Sequence, residues 1–296
     1  MVVKKLNSVG RFRNSFELIY GNGTKMLVSD ELMLDSVIQL LHGSKDGMPE
    51  PFEFVKILTY LDKSDSPIVK ENIMMVELLF YNYIRHDVNL RHFQLFYGIL
   101  HNPSTMLELI KLAWLPDNEQ AKEIRKNEFA KNKNLSSIAK IALEILHGLE
   151  AQPCENNNGV VNGQDLKKYA KELLEAAKSE YLERPAMYVI GKLLGNINLG
   201  EDYPPPYLGE ILEELDKDEI DDEYRRQLFN RHGFTCRAYN EGGTIERKRE
   251  KKFLSYAEKT RFTYDRITIV FEKLASEYHH MGDREDVNAK LEDLDN

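Results

Sequence analysis

Two pairs of side chains in this chain set an arginine a few residues before a histidine. Six residues separate Arg85 from His92, and five separate Arg226 from His232. A histidine can move a proton to and from a reacting oxygen near neutral pH, and an arginine can hold the charge that develops on phosphate. In the first pair a polar residue, His86, follows the arginine directly. Two residue types at so loose a spacing also recur in solvated loops and at helix ends, which is the structural reading of the same residues.

A second group could bind rather than cut. Arg231, Arg237, Tyr239, Arg247 and Arg249, with Lys248, Lys251, Lys252, Phe253 and Tyr256 among them, interleave cations with aromatic rings. Surfaces that take up single-stranded nucleic acid have this composition. The charge around them argues for a different partner. Residues 201–223 hold eleven acids against Lys217, residues 225–252 hold nine bases against three acids, and the whole chain carries −9. Adjacent blocks of opposite sign are expected to satisfy each other, and Glu246 with Arg249 and Glu258 with Arg261 stand in register for pairs within one helix. Nucleic acid is therefore disfavoured as a partner and a protein is favoured.

Other chemistries find little support. The eight histidines supply no i, i+4 pair of the kind that binds zinc on one helix face. His279 and His280 read instead as cations placed at the negative end of a helix. Cys154 and Cys236 are too few for a disulfide framework or a zinc cluster, although Cys236, beside Arg237, is a candidate reactive thiol. Gly21 to Lys25 lacks the spacer and the ending of a phosphate loop. No metal and no cofactor is expected.

These residues must be held by something, and the pattern is helical almost throughout. At 296 residues with 42% hydrophobic and 30% charged side chains, the chain can bury a sizeable core. No apolar run is long enough to span a bilayer, and no apolar leader opens the sequence, so a cytoplasmic protein without a membrane partner is expected. The single β signal is a hairpin, Phe16–Tyr20 and Thr24–Val28 around Gly21-Asn22-Gly23. Helices follow, starting with one capped by Ser29 and Asp30. Residues 117–134 read as a frayed helix or a loop. Residues 152–163, rich in turn formers, read as the seam between two lobes. Gly191 and Gly195, four apart, permit close helix packing. A last helix is expected from Gly243-Thr244 to about His280, on the order of 35 residues or 50 Å, with a possible break at residues 260–263. The fold class is thus all-α in the main: an N-terminal segment 1–28 with the hairpin, a helical lobe 29–151, the linker 152–163, and a second lobe 164–296 with the long C-terminal helix.

Two resemblances bear on function. The Arg85 and His92 spacing is similar to the motif of the all-helical HEPN ribonucleases, which implies endoribonuclease chemistry with His92 as acid and base and Arg85 on phosphate. Three stretches, residues 78–114, the Tyr203-Pro204-Pro205-Pro206 step, and Asn230-Arg231-His232-Gly233-Phe234-Thr235 continuing through Glu241-Gly242-Gly243, resemble the C-terminal region of large uncharacterised bacterial multidomain proteins. That likeness implies a helical fold and a free-standing or excised end region, with a role as a defence-associated effector as the function such proteins suggest. It implies no catalytic residue. The stretch FTYDRITIVFEKLASEY departs from it, lacking an expected tryptophan-proline step. The reading these observations favour is a protein-interaction or scaffold module.

Overall fold

The chain is all-α: a computed structural model describes residues 2–21, 28–41, 43–45, 47–85, 93–156, 158–201, 203–231 and 241–294, and these hold sixteen helices and no sheet. They divide into two compact units, Met1–Leu115 with Glu119–His147, and Pro116–Asn118 with Gly148–Asn296.

The first unit opens with α1 (Val2–Ser8) and α2 (Phe12–Gly21). The expected hairpin is not there, because its first strand is the second half of α2. Phe12, Phe16 and Ile19 recur at helical spacing and are all buried, so one helix face buries more apolar surface than an alternating strand would. Residues 22–27 lie outside the described residues. Ser29 then caps α3 (Asp30–Leu40), its hydroxyl accepting from the Leu32 N–H at 3.4 Å. A reciprocal box of Glu50 and Glu53 opens α4 (Pro51–Leu61). The apolar run that follows bends at Phe80 into α5 (Pro67–Leu79) and α6 (Tyr81–Ile84). Phe54 centres this core, with its ring 5.2 Å from Phe16 and 4.6 Å from Phe80.

Next come α7 (Gln94–His101), α8 (Pro103–Ala113), α9 (Glu119–Lys131) and α10 (Lys133–Gly148). Asn102 caps α8 through the Ser104 N–H at 2.9 Å, with Pro103 in the first turn. The start of α7 is held from another element: the fully buried Glu77 of α5 accepts the Leu95 N–H at 2.6 Å and the Gln94 N–H at 3.3 Å. Burial, reinforced by the hydrogen bond and charge of Asp62, pushes the Glu77 carboxyl up to about 9. The stretch read as frayed helix or loop is ordered as α9. None of its residues is buried, and its cations find carboxylates one turn away on the same helix: Lys122 with Glu119 at 3.1 Å, Lys126 with Glu123 at 2.9 Å, and Arg125 with Glu128 at 3.1 Å.

The second unit comprises α11 (Gly163–Ser179), α12 (Glu183–Gly195), α13 (Pro206–Leu215), α14 (Asp218–Asn230), α15 (Thr244–Thr260) and α16 (Asp265–Leu294). Within residues 152–163, Cys154 is buried and Asn162 caps α11 through the Gln164 and Asp165 N–H groups. Helices α12 and α14 meet over Gly191 and Gly195. A β-carbon on Gly191 would stand 2.7 Å from the Ile220 carbonyl, and one on Gly195 would meet Gln227. The expected C-terminal helix breaks at the residues read as its weak point and becomes two. The chain stops at Thr260, turns through residues 261–264, and returns antiparallel as α16, with the buried hydroxyls of Thr260 and Thr268 bonded at 2.7 Å. Threonine and aromatic residues clustered at 260–264 favour this turn, since their side chains lose freedom in a helix interior. The second arm also runs beyond the expected end at His280, to Leu294. Among the described residues, no helix is long and apolar enough to cross a membrane.

Candidate functional site

The C-terminal helices collect three of the arginines singled out as binding residues, and each is used to hold helices together. Arg231 lies at the end of α14 and donates to the carbonyls of Gly195 at 3.0 Å and Ile197 at 2.8 Å, and to Asn198 Oδ1 at 2.7 Å. It thereby satisfies carbonyls that the end of α12 leaves without helical partners. Gln227 extends the same join by donating to Asn196 Oδ1 at 2.8 Å, while the Asn196 amide donates to the Leu149 carbonyl at 2.8 Å.

Arg247 is the hub of the α15–α16 hairpin. Its guanidinium bonds Asp283, Asp286 at 3.3 Å, Glu250 at 3.3 Å, and both Nδ1 and the carbonyl of His279 at 3.0 and 3.3 Å. Asp286 also accepts the Gly243 N–H at 2.7 Å, and that bond is the main cause holding its carboxyl below the ordinary range, with Arg247 adding to it. Asp283 is lowered chiefly by its bond to Arg247. The Glu241-Gly242-Gly243 step now has a physical reason. Gly242 adopts φ +55, and a β-carbon on Gly243 would collide with the Gly282 carbonyl, so only glycine lets the start of α15 cross α16 backbone to backbone. His279 and His280 do not end a helix as expected. They lie inside α16, with His279 3.0 Å from Glu250 and 3.5 Å from Asp283.

Arg249 sits with its guanidinium 5.6 Å from the centre of the Tyr278 ring, and Tyr278 in turn stacks on Phe253 at 5.8 Å. Arg261, expected to pair within its own helix, reaches Glu272 of α16 at 2.8 Å. The two charge blocks satisfy each other only in part. Within α14, Arg225 faces Asp222 at 3.6 Å and Arg226 faces Glu223. Asp216, Asp218 and Asp221 gather instead on Arg266 of α16, at 2.6 to 2.7 Å, and Glu214 on Lys167 and Lys171 of α11, while Arg225 also reaches Glu277.

Lys248, Lys251 and Lys252 are treated differently. They share the outward face of α15, all exposed, and none makes an ion pair among the described residues; Lys252 lies 5.6 Å from the Tyr256 ring. At the turn beyond α15, Phe262 is 95% exposed. Phe262 falls at the break expected from the threonines and aromatics of residues 260–263.

The remaining candidates fall elsewhere. Arg85, at the end of α6, pairs with Glu144 of α10 at 3.4 Å. His92, Arg237 and Tyr239 lie outside the described residues, as does Cys236. Cys154 is buried, which together with the nearby Asp165 charge pushes its thiol up to about 12 and makes it a poor nucleophile. Among the described residues, no group of three or more histidine, cysteine, aspartate or glutamate side chains is placed to hold a metal ion. No protein-family model matches the chain, and neither a curated protein nor a solved structure matches it.

Proposed function

We propose that this chain is a helical protein-interaction or scaffold module whose second unit presents the tip of the α15–α16 hairpin to a partner. The observation that carries this reading is Phe262, an aromatic ring almost wholly in solvent on a well-supported arm. Phe253, Tyr256, Phe271 and Tyr278 pack beneath the hairpin, and Arg247 ties its open end, so the ring is offered by an element that needs little ordering on binding. Large aromatic side chains presented in this way are the usual anchors of protein interfaces. The reading places the module in the cytoplasm, in keeping with a buried, unreactive Cys154.

In the ribonuclease alternative, Arg85 would stabilise phosphate charge beside His92. The Glu144 carboxylate at 3.4 Å neutralises that cation instead.

The test is photo-crosslinking from position 262, with a benzophenone amino acid replacing Phe262, in lysate of the organism that encodes the protein. A discrete protein adduct that disappears in competition with wild type, but not with Phe262→Asp, is expected. Cleavage of structured or single-stranded RNA by wild type, abolished by Arg85→Ala and by His92→Ala in folded protein, would overturn the reading.

A further inference from the structure

Resting on that reading, we infer that the outward face of α15 is the docking surface for an acidic, partly apolar segment of a partner protein, with Lys248, Lys251 and Lys252 receiving its carboxylates and Phe262 its apolar residue. The three lysines stand at i, i+3 and i+4, on one face of the helix, and Arg249, three residues before Lys252, adds to the repulsion. Like charges at these spacings destabilise a helix, and no carboxylate among the described residues pairs with the three lysines. Three arginines of the hairpin are matched instead: Arg247 to three carboxylates, Arg261 to Glu272, Arg266 to three aspartates. A helix face that carries three adjacent unmatched cations presents a field complementary to an anion.

The observations favour a polypeptide over a nucleic acid. Three unmatched lysines would release only about three counterions from a phosphate backbone, too few for firm binding at physiological salt. A strand running past them would also meet the exposed carboxylates of a chain that carries −9 in total. An acidic segment needs to match the lysines only locally, and the exposed Leu254 and Phe262 give its apolar side chain a place to rest. From Lys248 to the end of α15 at Thr260 is about 18 Å at helical rise, so the partner's acidic cluster and its apolar residue are separated by about twelve residues if helical, or about five or six if extended.

The probe is a fluorescein-labelled 16-residue peptide with four glutamates at one end and a leucine twelve residues on. Its controls are the same peptide with glutamines and a 16-nucleotide oligouridine, each titrated by fluorescence anisotropy. Binding of the glutamate peptide, weakened by salt, is expected. In Lys248→Gln/Lys251→Gln/Lys252→Gln it falls about tenfold, the sum of three exposed ion pairs of about 0.5 kcal/mol each. The charge-matched Lys122→Gln/Lys126→Gln/Lys140→Gln variant leaves it unchanged. Equal binding by the α15 triple variant, or no binding by wild type, overturns the proposal. Tighter binding of oligouridine, lost in the α15 triple variant, overturns it in favour of a nucleic-acid surface. Adduct formation at position 262 that survives the α15 substitutions, with no acidic-peptide binding, leaves the interaction module standing and removes only this surface.

Discussion

Helices α9 and α15 are both lysine-rich surface helices, yet they keep their lysines for opposite reasons. In α9 nothing is buried, Lys122, Arg125 and Lys126 each face a glutamate three residues away, and Arg125 also donates to the Lys111 carbonyl of α8 at 2.6 Å, so the helix rests on paired charge rather than on a packed face. In α15 the underside buries Phe253, Tyr256, Ala257 and Thr260 against α16, and the upper side carries Lys248, Lys251 and Lys252 without a carboxylate between them. Helix stability in proteins comes mostly from a packed face, and a helix so supported can carry surface charges that its fold does not require. Charge that the fold does not need is the charge free to meet a partner.

The contrast breaks most severely if the packed face is removed. Phe253→Ala should cost about 3–5 kcal/mol, the usual loss for truncating a buried phenylalanine, whereas Phe129→Ala in α9 should cost under about 1 kcal/mol. Denaturant unfolding followed by circular dichroism reads both. Comparable small losses would show that α15 does not depend on its underside. Gly243→Ala should follow at about 1–3 kcal/mol, because its new methyl group meets the Gly282 carbonyl and the backbones must separate. Gly282 hydrogen exchange accelerating in this variant, with the amides of α9 unchanged, would locate the damage; unchanged exchange at both would sink the explanation of the double glycine.

The two units should also answer pH with opposite sign. Asp283 and Asp286 are held below the ordinary carboxylate range, so the stability they give is present above that range and lost as pH falls through their lowered values. Glu77 is raised to about 9 from 4.5, so between those values the folded unit holds a proton that the unfolded chain has released. Stability of the first unit therefore falls as pH rises across that window. Trp114, the only tryptophan, belongs to the first unit and reports on it. Its fluorescence melts should show wild type losing ground to Glu77→Gln from pH 5 to pH 8.5. A constant gap would mean that the Glu77 carboxyl is not carrying the proton.

What sequence could and could not disclose follows the same division between local and long-range causes. The cap at Ser29, and the close packing at Gly191 and Gly195, were legible because residue type and spacing act within a turn or demand one geometry. The β reading of residues 16–20 failed because a short apolar run satisfies both periods, and the burial of Phe12 with Phe16 and Ile19 decides between them. The break in the last helix was legible in the threonines and aromatics at 260–263, whereas the antiparallel return of its second arm was not, because it is secured by a contact between Thr260 and Thr268 that only the folded hairpin creates. Arg231 and Arg247, read from sequence as binding residues, join helices within the second unit. That work, closing α12 with Arg231 and clamping α16 with Arg247, depends on partners more than 30 residues away in the sequence, such as Gly195 at 36 and Asp283 at 36.

The finest test of the contrast is a pair of substitutions that move stability in opposite directions. Lys248→Gln/Lys251→Gln/Lys252→Gln removes like-charge neighbours from α15 without taking away an ion pair, so it should leave the hairpin unharmed or more stable by about 0.5–1 kcal/mol. Glu119→Gln/Glu123→Gln removes two ion pairs from α9 and should lower its stability by about 0.5–1 kcal/mol. Hydrogen exchange resolved by helix measures both, since each effect is local. Were the α15 substitutions to speed exchange along α15, the lysines would be structural after all, and their exposure would cease to argue for a partner. If exchange slows there while acidic-peptide binding is lost, the same three side chains weaken the helix that displays them and strengthen the complex it forms, which is the signature of residues kept for recognition rather than for the fold.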